Sequence, residues 1–276
     1  MELFDTHCHI QSVEGAGGER STSELWLKAG DTKLDAILQR AAEANVKTMI
    51  CVGCDLADSR LAVECVKSRE NLYASIGIHP HEAQHYVGDT DKLRAFADLA
   101  TASKVVAVGE CGLDYFYEHS PKAAQIEVLK FQIELALKHN LPLIFHIREA
   151  FDDFWPIFDE YKGVRGVVHS FTDTTANLQK AIERGLFVGV NGIATFAKQS
   201  EQLDMYRSIP LKSLLLETDA PFLTPVPHRG KICEPYHVSI TANFLSNLRG
   251  EDLGTLAEAT TSNAKRLFGV NKTAGV

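Results

Sequence analysis

Short apolar runs alternate with longer amphipathic stretches along the whole chain. Eight runs predict β-strands, over 2–5, 47–53, 72–78, 105–109, 143–146, 166–169, 186–190 and 214–217. Amphipathic segments such as 33–44 and 122–138 separate them. In the second segment, apolar side chains recur at helical spacing, at Ile126, Leu129, Ile133 and Leu137. The pattern therefore predicts strands and helices in regular alternation. Before the second helix we expect Ser120 to be the N-cap, with Pro121 in the first turn.

This alternation predicts an α/β fold, a single (β/α)8 TIM-type barrel with parallel strands inside and helices outside. Strands that are apolar on both faces are typical of a parallel sheet covered by helices. The chain has 276 residues, which is the usual size of such a barrel. An open doubly wound sheet is the alternative architecture, but no glycine-rich phosphate-binding turn follows the first strand.

The chain shows no linker, repeat or low-complexity stretch that would divide it, so we expect one domain over 1–276. The polar, glycine-rich segment 11–30 is predicted to be a loop insertion and a candidate lid over the mouth of the barrel. Residues 269–276 are expected to be a frayed tail.

Composition narrows the class of partner. Net charge is −8, which argues against broad, non-specific coating of nucleic acid, although a local cationic groove stays open. No window approaches 18 uninterrupted apolar residues, and the N-terminus lacks the basic flank and apolar core of a signal peptide, so we expect no membrane contact. The six cysteines are spread through apolar segments, which fits a reducing cytoplasm. Cys51 and Cys54 have redox or zinc spacing but no second pair, and we interpret them as small buried residues. No obligate protein partner is indicated.

The first strand ends in an Asp-x-His-x-His string. Side chains alternate faces along a strand, so Asp5, His7 and His9 are predicted to project to the same side. Two imidazoles aimed at one point can chelate a metal ion. The alternative is a pair of core histidines held by backbone carbonyls.

Further potential ligands follow other predicted strands. Glu110 follows the fourth run, His146 ends the fifth, His169 ends the sixth and Asp219 lies just past the eighth. The carboxyl ends of parallel barrel strands share one mouth, where the catalytic groups of such barrels lie. Unpaired imidazoles and carboxylates would be costly beside buried strands. Together with the two N-terminal histidines, these residues therefore predict a metal centre.

Six ligands exceed the three or four that a single catalytic zinc takes, so we expect two divalent ions. Glu110 is the natural bridge, because a carboxylate offers two oxygens. One ion is assigned to His7, His9, Glu110 and Asp219, and the other to Glu110, His146 and His169. Glu110 and Asp219 are the predicted catalytic residues, and Asp219 could take the proton from the attacking water. The ions would make hydroxide available near neutral pH and neutralise charge on the substrate.

Other residues are candidates for binding a substrate phosphate or for supporting the ligands. His79 and Arg148 follow the third and fifth strands. The alternative for His79 is a turn histidine that caps backbone, and the alternative for Arg148 is pairing with a carboxylate. A cationic loop that could contact phosphates comprises His228, Arg229 and Lys231. Asp5 and Glu217 are predicted to orient ligands from behind. Aromatic residues that could stack a nucleobase, or only pack at the rim, are Tyr115, Phe116 and Tyr117.

Taken together, the motifs make the chain resemble the TatD family of metal-dependent deoxyribonucleases, within the amidohydrolase-like barrels. The resemblance covers nearly the whole length and rests on the motifs at 5–9, 77–81, 109–114, 146–150, 169–171, 217–221, 224–231 and 263–268. It implies an eight-stranded barrel and a divalent-metal site built from the six residues named above. It also implies hydrolysis of DNA phosphodiesters, as a 3′-to-5′ exonuclease that prefers single strands.

The chain departs from the family pattern at three places. Cys233 precedes Glu234-Pro235 where asparagine is usual, Asp173 stands where glycine is usual, and the 11–30 loop is longer. None involves a predicted ligand, but all could reshape the substrate groove. Two other functions stay open: hydrolysis or deamination of a small-molecule amide or lactone on the same site, and a non-catalytic metal-dependent scaffold. The metal could be Mg²⁺, Mn²⁺ or Zn²⁺.

Overall fold

The computed structural model describes residues 1–13, 20–30 and 33–270. Within them, eight parallel strands pair in chain order from β1 to β8. Their bounds are β1 Leu3–Cys8, β2 Val46–Val52, β3 Leu72–Ile76, β4 Val105–Asp114, β5 Leu143–Arg148, β6 Gly166–Val168, β7 Phe187–Val190 and β8 Leu214–Leu216. Each lies within or overlaps one of the eight predicted runs. The sheet is a (β/α)8 barrel, as the sequence pattern predicts.

The barrel closes between the first and last strands. Cys8 forms a parallel bridge with Ala220, and the His9 N–H donates to the Ala220 carbonyl at 2.7 Å. One residue earlier, the Asp219 N–H donates to the His7 carbonyl at 2.8 Å. Closure therefore places residues from near the two ends of the chain side by side.

Helices follow the strands on the outside. Their bounds are α1 Arg20–Lys28, α2 Leu34–Glu43, α3 Leu56–Val66, α4 Thr90–Leu99, α5 Lys122–His139, α6 Phe151–Asp159, α7 Thr175–Glu183, α8 Ser200–Ser208, α9 Val238–Arg249 and α10 Leu253–Phe268. No helix in the described part of the chain is long and apolar enough to span a membrane.

The predicted N-cap of α5 is wrong by one position. The cap is Pro121, and the helix begins at Lys122. Ser120 instead donates its hydroxyl to the His81 carbonyl at 2.6 Å and accepts the Gln84 N–H at 3.0 Å. Its side chain is committed to the segment after β3 and does not cap the helix.

Apolar side chains fill the barrel at the amino ends of its strands. Phe4, Ile50, Ile144 and Leu215 form one buried cluster with residues of α10. In it the rings of Phe4 and Phe268 lie 6.5 Å apart. Helix α10 therefore covers the amino end of the barrel.

The sequence predicts one polar loop over 11–30, and the structure differs from that prediction. A 3-10 helix covers Ile10–Val13, α1 follows, and 14–19 lie outside the described residues. Gln11 is buried and donates to the Val52 carbonyl at 2.8 Å, while Trp26 is buried and donates to the His9 carbonyl at 3.0 Å. The amide of Gln11 and the indole N–H of Trp26 thus anchor the segment to β2 and to the end of β1. The polar composition of the stretch does not reveal these two contacts.

The predicted tail over 269–276 is partly wrong and partly outside the described residues. Gly269 ends α10 in the left-handed conformation, with φ of 66°. Val270 is buried against the cluster that contains Phe268. Residues 271–276 lie outside the description.

Candidate metal centre

All six predicted ligands reach the open mouth of the barrel. His7 lies in β1, Glu110 in β4 and His146 in β5. His9, His169 and Asp219 follow the ends of β1, β6 and β8. Five of the six border or contact one cavity of about 490 Å³, and His7 lies directly beneath it against Glu110 and Asp219.

His7 Nε2 lies close to donor atoms of three other predicted ligands, next to the β1–β8 seam, and His7, His9 and Glu110 form one group that could hold an ion. His7 Nε2 lies 3.2 Å from His9 Nε2, 3.3 Å from Glu110 Oε2 and 3.5 Å from Asp219 Oδ1. His9 Nε2 lies 3.2 Å from the same Asp219 oxygen. Two ligands of one tetrahedral ion, with bonds of about 2.1 Å, are about 3.4 Å apart. The spacing of these atoms therefore fits a shared metal ion.

The tautomer of His9 also suits a ligand. His9 Nδ1 lies 2.8 Å from the Val52 carbonyl oxygen, which can only accept a proton. In the neutral ring, which is the form that binds a metal ion, Nδ1 must then carry the hydrogen, and the lone pair on Nε2 faces the cluster.

The other oxygen of Glu110 faces a second set of imidazoles. Glu110 Oε1 lies 2.8 Å from His146 Nδ1 and 3.7 Å from both His169 Nε2 and His79 Nε2. Glu110 thus lies between two groups of nitrogen donors, as a bridging carboxylate must. His79, which the sequence suggests only as a phosphate contact, faces the same oxygen as two predicted ligands.

The electrostatics keep both carboxylates ionised. Burial alone would raise the pKa of Glu110, but His169, His7 and His79 outweigh it and hold that pKa well below its ordinary value. Burial acts on Asp219 in the same way, and the hydrogen bond with His9 and the charge of His169 lower its pKa. Both groups are therefore anions at neutral pH, the form that binds a cation.

Glu217 supports His169 from behind. Glu217 Oε1 lies 2.9 Å from His169 Nδ1 and accepts the Ser170 N–H at 2.7 Å. Burial would lower the pKa of His169, but Glu217 and Glu110 outweigh it and raise that pKa to about 10. A Cβ atom on Gly189 would collide with the Glu217 carboxylate, so this position accepts only glycine without displacement.

Asp5 supports the other side of the seam. Its carboxylate accepts the Thr218 hydroxyl at 2.6 Å, the Thr218 N–H at 2.9 Å and the His7 N–H at 3.2 Å. The register of β1 against β2 shifts between Asp5 and Cys8, which interrupts the simple alternation expected from the sequence. Burial raises the pKa of Asp5 to about 8, although its hydrogen bonds act in the opposite direction. Asp5 fixes the backbone beside His7 and Asp219, and its described hydrogen bonds do not reach the histidine rings.

Asp114 is a residue of the site that was not predicted from the sequence. This buried residue ends β4 and accepts from His146 Nε2 at 2.9 Å and from His81 Nε2 at 3.1 Å, both through Oδ2. The bond with His146 leaves Nδ1 of that ring facing Glu110. Strand alternation could have found Asp114, since residues i and i+4 of a strand share a face. The signal was hidden because Gly109 and Gly112 suggest that the strand ends before them.

Cys54 also lies at the site, although its sequence spacing did not predict a place there. It is buried at the end of the β2 segment, where its Sγ lies 3.9 Å from His9 Nδ1 and 4.0 Å from Glu110 Oε2. Its interpretation as a small buried residue is correct, but it also borders the cavity.

The predicted substrate contacts separate into two groups. His79 and Arg148 line the cavity, together with Tyr117. The cationic loop of His228, Arg229 and Lys231 lies outside the cavity lining, and Arg229 stacks over Phe196 at 4.6 Å. Tyr115 does not line the cavity, and its hydroxyl donates to Asp153 at 2.8 Å.

Comparison with known proteins places this geometry in context. Residues 4–269 match the family model described as TatD related DNase. A metal-dependent hydrolase of Bacillus subtilis, YabD, is 35% identical over 271 residues, which cover 98% of this chain and 100% of that protein. The 3′-5′ ssDNA/RNA exonuclease TatD of Shigella flexneri is 31% identical over 244 residues, which cover 86% of this chain and 93% of that protein.

A solved structure shows the same fold. The crystal structure of YJJV, a TatD homologue from Escherichia coli, superposes with a TM-score of 0.84 at 29% identity and covers 98% of both chains. The sequence motifs, the barrel topology and the cluster of imidazoles and carboxylates therefore all agree with the similarity to these proteins.

Proposed function

Because the chain belongs to the family of TatD-related DNases, we propose that it cleaves DNA phosphodiester bonds as a 3′-to-5′ exonuclease that prefers single strands. The chain is a metal-dependent hydrolase, as its family and its relatives indicate. The finer activity is supported by the relative named as a 3′-5′ ssDNA/RNA exonuclease.

One observation carries the proposal: Glu110 presents its two oxygens to two different groups of donors. Oε2 lies 3.3 Å from His7 Nε2, and Oε1 lies 2.8 Å from His146 Nδ1. We assign one divalent ion to His7, His9, Glu110 and Asp219, and a second to Glu110, His146 and His169. Mixed nitrogen and oxygen ligands suit Zn²⁺ or Mn²⁺, and Mg²⁺ is the third candidate.

Bound divalent ions would supply a nucleophilic water at neutral pH and would neutralise charge on the phosphate oxygens. The residues of the chain then have distinct roles. The Glu110 carboxylate lies between the two groups of imidazoles, and the Glu217 carboxylate fixes the orientation of the His169 ring. Asp219 lies at the cavity wall as an anion and accepts the proton of the attacking water.

Substrate contacts follow from position around the cavity. Arg148 and His79 line it and can bind the phosphate next to the scissile bond. His228, Arg229 and Lys231 lie beyond the lining and can contact phosphates further along the strand. We also propose that the chain is one domain and works in the cytoplasm, which its free cysteines support.

A metal-replacement assay tests the activity. Metal-stripped protein is given a 5′-labelled single-stranded oligonucleotide, and Mg²⁺, Mn²⁺ or Zn²⁺ is added back. We expect stepwise shortening from the 3′ end, which disappears in Glu110→Ala and Asp219→Asn with unchanged circular dichroism.

Glu258→Ala is the matched control, because this glutamate is exposed on α10 at the closed end of the barrel. Cleavage that persists in both site variants would place the activity elsewhere or in a contaminant. Hydrolysis of amides or lactones, with none of the oligonucleotide, would replace the proposal by the small-molecule alternative.

A further inference from the structure

We propose that Phe116, Tyr117 and Arg148 form a stacking platform that holds the nucleobase next to the scissile phosphate. The inference rests on the proposed nuclease function and names the part of the substrate that these residues recognise: the exposed face of an unpaired base, with the phosphate beside it.

Arg148 lies in the corner between two aromatic rings. Its guanidinium carbon is 4.0 Å from the centre of the Phe116 ring and 4.7 Å from the centre of the Tyr117 ring. The two rings meet edge to face, with centres 4.7 Å apart and planes at 89°. Packing between the rings restricts the guanidinium, so less freedom is lost when it binds a ligand.

The platform is exposed although it is largely aromatic. Phe116 and Tyr117 each expose 50% of their surface, and Arg148 is also exposed. Among the described residues, no carboxylate pairs with Arg148. Its charge therefore stays available for an anion from outside, and the carboxylate pairing that the sequence left open is not observed.

A buried carboxylate connects the platform to the candidate metal centre. Asp114 Oδ1 accepts the N–H groups of Phe116 and Tyr117, both at 3.0 Å. Asp114 Oδ2 accepts from the ring of the predicted ligand His146 at 2.9 Å. Strand pairing places Arg148 directly opposite Asp114 in β5. One side chain thus holds both the platform backbone and a metal-site imidazole in place.

The platform also reaches the reaction site. Tyr117 and Arg148 line the same cavity as Glu110, His146 and Asp219. A nucleotide whose phosphate lies at the metal centre can therefore place its base against the rim. A base at a duplex end must be unpaired and unstacked from its neighbour before it can lie on the platform, so the platform favours unpaired ends.

The chemistry of the three side chains matches a nucleotide and not a phosphate alone. Aromatic rings and guanidinium planes stack on any of the four bases without reading their edges. The N–H groups of Arg148 bind phosphate oxygens in a fixed planar arrangement. Recognition of this kind holds a strand end without selecting its sequence.

Fluorescence quenching tests the platform directly. A single-stranded oligonucleotide carries 2-aminopurine at its 3′ end and phosphorothioate linkages that resist hydrolysis, and it is titrated with the metal-loaded protein. We expect wild-type protein to quench the probe through stacking. Phe116→Ala and Tyr117→Ala should lose most of the quenching and bind about tenfold more weakly.

Variants of the arginine separate stacking from charge. Arg148→Lys keeps the charge but loses the planar group, so we expect it to bind nearly as weakly as Arg148→Ala. Tyr161→Ala and Arg184→Ala are matched controls. Tyr161 follows α6 and Arg184 follows α7, where Arg184 also stacks on an aromatic ring, that of Trp155 at 4.8 Å, outside the cavity lining. Both controls should quench and bind like wild type.

The outcomes distinguish the two proposals. If wild-type protein cleaves the unmodified strand while Phe116→Ala, Tyr117→Ala and Arg148→Ala quench and bind normally, the platform is wrong and the nuclease proposal stands. If wild-type protein neither binds nor cleaves the oligonucleotides, the nuclease proposal fails and the platform fails with it.

Discussion

Asp114 determines how one predicted ligand is presented. Its Oδ2 accepts from His146 Nε2 at 2.9 Å and from His81 Nε2 at 3.1 Å. Burial would raise its pKa, but these two hydrogen bonds hold that pKa far below the ordinary range. An asparagine at this position has nearly the same shape, but it has one oxygen in place of two. Its NH2 group cannot accept a hydrogen bond. We expect Asp114→Asn to weaken metal binding about 10- to 100-fold, measured by titration of the metal-stripped protein.

Asp153→Asn is the control for that change, because Asp153 is an exposed carboxylate that accepts from Tyr115 outside the cavity lining. It removes one negative charge without touching a histidine ring, so metal affinity should not change. Equal losses in the two variants would mean that overall charge, and not the orientation of His146, controls metal binding.

At the same scale, the sequence predicted the six candidate ligands and Glu217 behind His169, but not Asp114 behind His146. His7, Glu110, His169 and Asp219 could be found because each lies at or just past a buried apolar run, a feature of the local sequence. Asp114 depends on β4 continuing past two glycines, where pairing with β5 and hydrogen bonds with Gln125 stabilise the strand. These long-range contacts cannot be read from the sequence, so the shared strand face of Glu110 and Asp114 was hidden behind the glycines.

At the scale of elements, α10 closes one end of the barrel while the other stays open. Phe268 is buried there, and its ring lies 6.5 Å from that of Phe4. Removing the ring leaves a cavity far from the metal centre. We expect Phe268→Ala to lower the free energy of unfolding by about 3–5 kcal/mol, measured by urea denaturation, with kcat/KM unchanged at temperatures where the protein stays folded.

Leu27→Ala provides the comparison for that variant, since Leu27 is an exposed apolar side chain of α1. Its effect should stay within about 0.5 kcal/mol. A loss of activity in folded Phe268→Ala would show that the two ends of the barrel are mechanically coupled.

The elements differ in how far the sequence determines them. The eight strands were predicted because each is a continuous apolar run between polar segments. Helix α1 was missed because its stretch is polar overall and its large buried side chain, Trp26, is anchored by a long-range hydrogen bond to the His9 carbonyl. A single long-range hydrogen bond carries no periodicity.

At the scale of the whole molecule, the metal centre joins the two ends of the barrel sheet. His7 and His9 come from β1 and its end, while Asp219 follows β8. Ions that bind only the folded chain stabilise it, by about 4 kcal/mol when free metal is 1,000 times the Kd. We expect added Zn²⁺ or Mn²⁺ to raise the Tm of metal-stripped protein by on the order of 10 °C, measured by calorimetry.

Glu110→Ala should show a much smaller rise in Tm, because its carboxylate contacts both groups of imidazoles. The same rise in wild type and in this variant would place the stabilising ions outside the proposed centre.

Net charge affects how strongly the protein binds a strand of DNA. Because its net charge is −8, we expect the protein to attract DNA locally, at the metal centre, at Arg148 and on the loop of Arg229 and Lys231. Each phosphate neutralised on a single strand contributes about −0.7 to the slope of log K against log salt. Two or three contacts therefore predict a slope of about −1.4 to −2.1, measured by fluorescence anisotropy at constant metal concentration.

Arg148→Ala should make that slope shallower by about 0.7, and Arg229→Ala should do the same only if the loop contacts the strand. A slope steeper than about −4 would require an extended cationic groove, in conflict with contact confined to the mouth of the barrel.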